Sequence, residues 1–505
     1  MIKVKKNFQL LFLISVIAMA FFLRSYHLST DLLFHRDQGV HSLDIWEIWH
    51  DKKLSLLGPT SDTDGLTHAP IYYWLMLPSY ALSGGDPVVA SLFQIIMEVL
   101  SLPFLFLAVK KLFNKKTAII TLLLYTFSYR LICYSRWLVN VTPILPLTNV
   151  LLFLLADIWK IKASLNAFLS ALVVGVATQI DAAVGLFLLP VVFYANRKNL
   201  KLKRLGLILL GFLLPAFPLL VFELRHDFVL SNAVLNFSRG GGGIGFSFKI
   251  LFGNFKILKE EVTHMLFSAL PSFIVVIITA LGLFFVKNLP QKKLIYAFLL
   301  LHFLTLSLFQ RGAISFFFVG LLPLLLAIIA FAISKFPQKI MIICLGLIIG
   351  LNIFHLKKIY QPTNALIPIG NANLITIQDR KNIIDWIYKK ADGQSFAIWY
   401  YTIPYYQEEV WDYMFFWYAE PKYGYLPEAT HGFSPNELKE AKIFFSVFEP
   451  ELDRPQFFTT WHNQIGLNFG EVIDQYQTND LHVRVHEWDG VEWKIDLTTS
   501  SFPFR

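Results

Sequence analysis

The chain has 505 residues, of which 55% are hydrophobic, 16% aromatic and 16% charged, with a formal net charge of +9. So much apolar surface excludes an ordinary water-soluble fold, in which about a quarter of residues are charged, and 48 Phe, 20 Tyr and 12 Trp exclude disorder. Two cysteines exclude a disulfide scaffold, and a mean hydropathy of +0.54 leaves an integral membrane protein.

About eleven apolar runs are long enough to be read as membrane helices. Their rough spans are 8–27, 87–109, 117–133, 143–159, 164–180, 182–195, 205–222, 265–286, 294–309, 315–333 and 339–356. The runs at 164–180 and 182–195 are short, as tilted or broken helices would be. Lysine and arginine cluster at Lys3/Lys5/Lys6, Lys110/Lys111/Lys115/Lys116, Lys160/Lys162, Arg197/Lys198/Lys201/Lys203/Arg204, Lys287/Lys292/Lys293 and Lys335/Lys339. Each cluster falls on every second loop, which places the clusters and the N-terminus on the cytoplasmic side. The stretches 28–86, 223–262 and 357–505 then lie outside. Residues 1–356 hold 31 Lys+Arg against 15 Asp+Glu, and residues 357–505 hold 13 against 20. The basic charge thus records orientation and needs no nucleic-acid partner. The first run is read as a retained anchor, because it continues past Ala18-Met19-Ala20 through Phe21, Phe22 and Leu23; a cleaved signal peptide is the rival. Cys133 and Cys344 are read as buried free thiols.

The connector at 28–86 is too long and too patterned for a linker. It holds Asp31, Asp37, Asp44, Glu47, Asp51, Asp62, Asp64 and Asp86, with His35, His41, His50 and His68. Two helices lying at the membrane interface are expected here. One follows His35-Arg36-Asp37-Gln38-Gly39 and carries Val40, Leu43, Trp46 and Trp49. The other follows Thr67-His68-Ala69-Pro70 and begins Ile71-Tyr72-Tyr73-Trp74-Leu75. Asp37 either caps the first helix or does chemistry. Asp44 lies seven residues on, on the same face of a helix. Asp62 and Asp64 form a D-x-D pair that suits a divalent cation, and the turn Ser61–Gly65 accounts for them equally.

Further along, Glu98 and Arg130 lie within apolar runs as a candidate structural pair. Arg136 stands beside Trp137 on a short outer loop, where it either meets phosphate or snorkels to headgroups. Gln179 and Asp181 mark a helix end. Arg239–Gly245 contains G-x-G-x-x-G, but it lacks the strand and helix of a dinucleotide site and reads as a loop. Arg311 sits in the turn Gln310-Arg311-Gly312. Residues 357–505 form an expected mixed α/β domain, with a helix at 376–391 and strands at 395–401, 442–448 and near 483–486. Trp399-Tyr400-Tyr401 and Tyr413–Tyr418 read as aromatic loops, either core or sugar-stacking.

Phe34-x-x-Asp37-Gln38-Gly39, then a helix, then Gly58-Pro59, then His68-Ala69-Pro70-Ile71-Tyr72-Tyr73-Trp74-Leu75 resembles the first outer loop of GT-C glycosyltransferases. The nearest group is glycosyltransferase family 39, with the protein O-mannosyltransferases and the lipid A aminoarabinose transferase. Tyr134-Ser135-Arg136-Trp137-x-x-Asn140-x-x-Pro143 resembles their second outer loop, and the likeness runs over roughly residues 10–220. Two departures stand out: Gln38 replaces the family's frequent second acid, and His68 stands where some relatives have Lys.

The resemblance implies a GT-C-like membrane domain at 1–356, carrying catalysis, and an extracytoplasmic domain at 357–505. It implies transfer of a sugar from a polyprenyl-phosphate donor to a protein, lipid or glycan hydroxyl at the outer face of the cell membrane, with inversion. Asp37 is then the expected base, with Asp44 in support. Arg136, His68 and Arg311 are candidates for the phosphate, with Tyr72 and Asn140 from the matching motifs. Asp181 and Gln179 are further candidates. No cofactor is firmly implied; a divalent metal at Asp62 and Asp64 is the one candidate. The rival readings are a polysaccharide polymerase or ligase using an undecaprenyl-diphosphate donor, and a transporter or flippase of lipid-linked saccharides. The absence of an internal repeat and the gathering of acids in an outer loop weigh against transport.

Overall fold

The computed structural model describes residues 2–61, 65–156, 163–239, 245–266, 270–309, 312–356, 375–403, 407–430, 438–441, 443–450, 470–479 and 481–487. It divides into two compact units. The first comprises 1–26, 53–78 and 90–361; the second comprises 27–52, 79–89 and 362–505. This division differs from the compositional one at 356/357 because parts of the 28–86 connector group with the C-terminal residues.

The first unit is helical. Each of the expected apolar runs contains helix. Five helices among the described residues are long and apolar enough to cross a bilayer: Pro87–Leu112, Ala163–Ile180, Leu202–Arg225, Ser315–Ser334 and Gln338–Leu356. A sixth span arises if Lys115–Phe127 and Tyr129–Arg136, bent by 60°, are joined. Four of the other expected runs form shorter apolar helices, Leu10–Ser25, Ile144–Leu155, Ala182–Asn196 and Ser272–Val286, and the run at 294–309 forms the helix Lys292–Leu306. The apolar window of Ser315–Ser334 is 94% buried, so this helix is the centre of the unit, while that of Gln338–Leu356 is 11% buried and presents an apolar face that a bilayer would cover. The protein is a multi-pass membrane protein.

The bend has an identifiable cause. Ser128 ends one helix and caps the next, accepting from the Leu131 amide at 3.3 Å and donating to Met265 O at 2.6 Å. A break strands backbone groups that a membrane interior cannot hydrate. Polar side chains take them up. Asn352 Oδ1 accepts from the Tyr129 amide at 2.8 Å, and its Nδ2 donates to Leu266 O. The fully buried Arg24 donates to Tyr125 O at 3.2 Å and Thr126 O at 3.3 Å, and to Ser135 Oγ at 2.9 Å.

Arg24 also pairs with Glu98 at 3.3 Å, and Arg130 pairs with Glu261, with Tyr134 donating to the same carboxylate at 3.2 Å. The expected Arg130–Glu98 pair is therefore replaced by two others. Sequence periodicity could not show that Glu261 and Arg24 face these positions.

In the second unit a four-stranded sheet has the order β1-β2-β4-β3, with β1 Phe396–Tyr401, β2 Ile443–Phe448, β3 Glu471–Thr478 and β4 Leu481–Glu487. β1 and β2 run parallel; β4 is antiparallel to both β2 and β3. The helix Ile377–Ala391 starts at Thr376, which with Asp379 forms a capping box. The expected helix and three strands are present, and β3 adds to them. Two expectations are corrected. Trp399, Tyr400 and Tyr401 lie in β1 and are buried, so they are core. Tyr413–Tyr418 is helical, within Glu409–Met414 and the wider turn Phe415–Ala419.

Candidate active site

Asp37 and Asp44 belong to the second unit. The chain enters it extended: Phe34 N donates to Ile375 O at 3.1 Å and Ile377 N to Leu32 O at 2.9 Å, a two-residue antiparallel bridge. The helix Arg36–Trp49 follows, with His35 as its cap. Gln38 Oε1 accepts from the His35 amide at 2.8 Å, closing a reciprocal capping box. Asp37 is thus not the cap. It stands in the first turn, where a carboxylate is favoured by the helix dipole. Gln38, fully buried, has a structural duty at the position where relatives often carry a second acid.

The Asp37 side chain is 47% exposed and lies 3.5 Å from the Arg36 guanidinium. The protein crowding it still raises its carboxyl above the usual carboxylate range, against the pull of Arg36. Asp44 is two turns on in the same helix and half-buried.

His35 is held neutral. Burial, with the positive Arg380 adding to it, pushes its pKa down to about 3. The residue as a whole is partly accessible, and its Nε2 is buried. The helix is seated at Gly39: a Cβ there would stand 2.4 Å from Val410 Cα. Ser42 Oγ and Tyr80 OH share a hydrogen bond of 2.7 Å, and Trp46 packs edge-on to Tyr413 at 6.1 Å.

His68, Tyr72, Arg136, Asn140, Gln179 and Asp181 belong to the first unit, and the structure gathers several of them. Gly58 N donates to His68 O at 2.8 Å, and His68 N to Pro59 O at 3.0 Å. Gly58-Pro59 and His68-Ala69-Pro70 are therefore two sides of one bridge. A Cβ on Gly58 would meet Ala69 O at 2.2 Å, which is why glycine stands there. The Ala69 amide points to Gln179 Oε1 at 3.4 Å, and Asn140 Nδ2 donates to Ile180 O at 2.8 Å. Asp181 caps the short helix Ala182–Gly185 through the Val184 amide. The His68 segment, Asn140 and the 179–181 corner thus meet. Tyr72 is buried in the helix Ile71–Ser83, beside Tyr73.

Arg136 is corrected from a loop residue to the last residue of the helix Tyr129–Arg136. It is 7% exposed, and its Nη1 donates to Tyr26 O at 2.7 Å. Helix geometry holds it because Gln94 Nε2 and Thr142 Oγ1 both donate to Trp137 O, at 2.8 and 2.7 Å, tethering the chain just beyond.

Arg311, Asp62, Asp64 and Gly240–Ile244 lie outside the described residues. Among the described residues no group of three or more His, Cys, Asp and Glu could hold a metal ion.

Residues 67–222 match the family model described as dolichyl-phosphate-mannose-protein mannosyltransferase. The chain superposes on ArnT from Cupriavidus metallidurans bound to undecaprenyl phosphate, with 12% identity and a TM-score of 0.57, over 95% of this chain and 98% of that one. Its apo state gives 0.58 over the same shares. The chain has the GT-C fold. Its fold is similar to that of ArnT, and residues 67–222 are similar in sequence to the mannosyltransferase family. No curated protein matches the sequence significantly.

Sequence reasoning about this GT-C chain missed Arg380, Gly39 as a packing residue, and Gln179 as a partner of the His68 segment. The signals were present only as ordinary letters: a charged residue in an amphipathic helix, a glycine in a helix, an amide at a helix end. Their partners are distant in sequence.

Proposed function

We propose that the protein is a membrane glycosyltransferase that moves a sugar from a polyprenyl-phosphate donor to an acceptor hydroxyl at the outer face. The observation that carries this reading is a solvent-reaching carboxylate, Asp37, in the first turn of a helix built on the connector motif of a GT-C fold. The family model over 67–222 and the ArnT fold support it. ArnT itself was captured with undecaprenyl phosphate, a ligand that suits a lipid-phosphate donor here.

In the reaction the acceptor oxygen attacks the anomeric carbon as Asp37 takes its proton. The bond between that carbon and the phosphate oxygen breaks, the configuration inverts, and the polyprenyl phosphate leaves with the electron pair. Arg136 and His68 meet the growing phosphate charge, with Arg311 as a third cation. Gln179 holds the His68 segment through the Ala69 amide, Asn140 and Asp181 fix the 179–181 corner, Tyr72 contributes to donor binding, and Asp44 supports the Asp37 helix. A divalent ion at Asp62 and Asp64 would add positive charge at the phosphate. The alternation of the six lysine and arginine clusters supports an N-terminus in the cytoplasm and residues 357–505 outside.

The test is purified protein in liposomes with radiolabelled undecaprenyl-phosphate sugars. Wild type should release undecaprenyl phosphate and Asp37→Asn should not. Equal release by both would defeat the base assignment, and passage of intact donor across the bilayer without release would favour a flippase.

A further inference from the structure

Asp37 is fixed from below by the C-terminal residues, and the fixing converges on one side chain. Arg380 is 1% exposed and sits in the first turn of Ile377–Ala391. Its Nε donates to Phe34 O at 2.9 Å. Its Nη2 pairs with Glu449 at 2.9 Å, just past β2. Its guanidinium lies over the Trp411 ring at 4.6 Å. Glu449 in turn is tied to the sheet: its amide donates to Tyr401 O at 2.9 Å, and its Oε2 accepts from the Ile403 amide at 3.0 Å. A buried guanidinium is retained only with such partners, because an unpaired buried charge is strongly destabilising.

The position of Phe34 O is what matters. It precedes the His35 cap by one residue and Asp37 by three. A carbonyl held on a buried, sheet-anchored fork fixes the direction from which the chain enters the helix. The bridge between Leu33 and Thr376 holds the same extended segment, and Gly39 against Val410 keeps the helix from sliding. Cap, carboxylate and seat are thus set within six residues by partners from 375–449.

We propose that Arg380, anchored by Glu449, is a positioning residue for Asp37, so that the C-terminal α/β region is a working part of the active site. Its catalytic consequence rests on the reading of Asp37 as the base. A positioned base matters because a displacement of about 1 Å in a reacting group costs on the order of 100-fold in rate.

The experiment uses the full-length protein in nanodiscs, with Arg380→Met and Arg380→Lys beside wild type and Asp37→Asn. Amide hydrogen exchange is read at residues 34–42 and in β1 and β2, and turnover is read with undecaprenyl-phosphate-linked sugars. In Arg380→Met, exchange at 34–42 should rise at least tenfold while β1 and β2 keep their protection. Its kcat should fall about 10- to 100-fold with donor KM within twofold, and Arg380→Lys should recover part of both. Unchanged exchange at 34–42 would overturn the proposal. So would a rise shared equally by the strands, which marks a general stability role, or a raised KM with unchanged kcat, which marks substrate binding. If Asp37→Asn turns over as wild type does, the base reading fails by itself, and the exchange data still decide whether Arg380 holds this turn.

Discussion

Gly39 and Val410 touch backbone to backbone: a Cβ added at 39 would lie 2.4 Å from Val410 Cα and 2.8 Å from its amide nitrogen. Neither atom belongs to a flexible side-chain end, so the helix itself must move. Gly39→Ala is expected to cost about 1–3 kcal/mol, the usual range for overpacking, and to shift Asp37 with it. Thermal unfolding in detergent and donor turnover should both fall. Gly346→Ala is the control, since nothing lies within 4 Å of that position in the helix Gln338–Leu356. It should be neutral or slightly stabilising. Equal behaviour of the two variants would refute the close packing.

The other half of the connector motif makes a parallel claim. Gly58 is forced by Ala69 O at 2.2 Å from its would-be Cβ, and the bridge 58–68 carries His68 toward Gln179. Gly58→Ala should therefore open the bridge. If His68 serves the donor phosphate, the variant's KM for undecaprenyl-phosphate sugars should rise severalfold with little loss of thermal stability, because the segment is short. A fall in kcat alone would remove His68 from donor binding.

Asn352 supports the broken span from another helix. Asn352→Leu strands the Tyr129 amide and the Leu266 carbonyl, both deep among helices. Each buried unpaired group costs about 1–3 kcal/mol. The melting temperature in detergent should drop by several degrees, and Asn352→Gln should not fully restore it, since the longer side chain misplaces both bonds. An unchanged melting temperature would mean that the bend finds other partners.

These residues show what was legible. The apolar runs and the period of the interface helices are local patterns, and each expected run contains helix. The order of motifs in the 28–86 connector is also local, and it led to the GT-C fold. What a sequence cannot display is which distant residue answers a given need. Glu98 and Arg130 both needed partners and took Arg24 and Glu261 instead of each other. Tyr413–Tyr418 looked like a loop because its aromatics have no single face, yet a wider helical turn lets them pack in several directions. Asp37 was read as base or cap, and the cap turned out to be His35, an uncommon residue for that place.

His35 ties pH to the same turn. Its pKa is lowered to about 3 from 6.5, so between these values the unfolded chain binds a proton that the folded chain refuses. Stability from this residue is complete above pH 6.5 and is lost as pH falls toward 3. His35→Gln should flatten that part of the stability profile, measured by thermal unfolding from pH 7 to 4. A profile as steep as that of wild type would show that other groups set it.

Asp37 has the opposite sign and the larger consequence. Burial in the protein around it raises its carboxyl above the ordinary carboxylate range, with Arg36 opposing. A base works only when ionised, so the acid limb of the rate profile should fall above the ordinary carboxylate range. Arg36→Gln should move that limb to higher pH, modestly, because the pair is exposed and screened by salt. For stability, an acid whose folded pKa is raised contributes below its unfolded pKa and loses that contribution as pH rises through the folded value. At neutral pH the ionised Asp37 is therefore a cost to the fold. Asp37→Asn should melt at the same or a slightly higher temperature than wild type while losing turnover by about 100-fold or more. A variant that loses activity and stability together would argue that Asp37 is structural; one that keeps both would argue that the proton goes elsewhere.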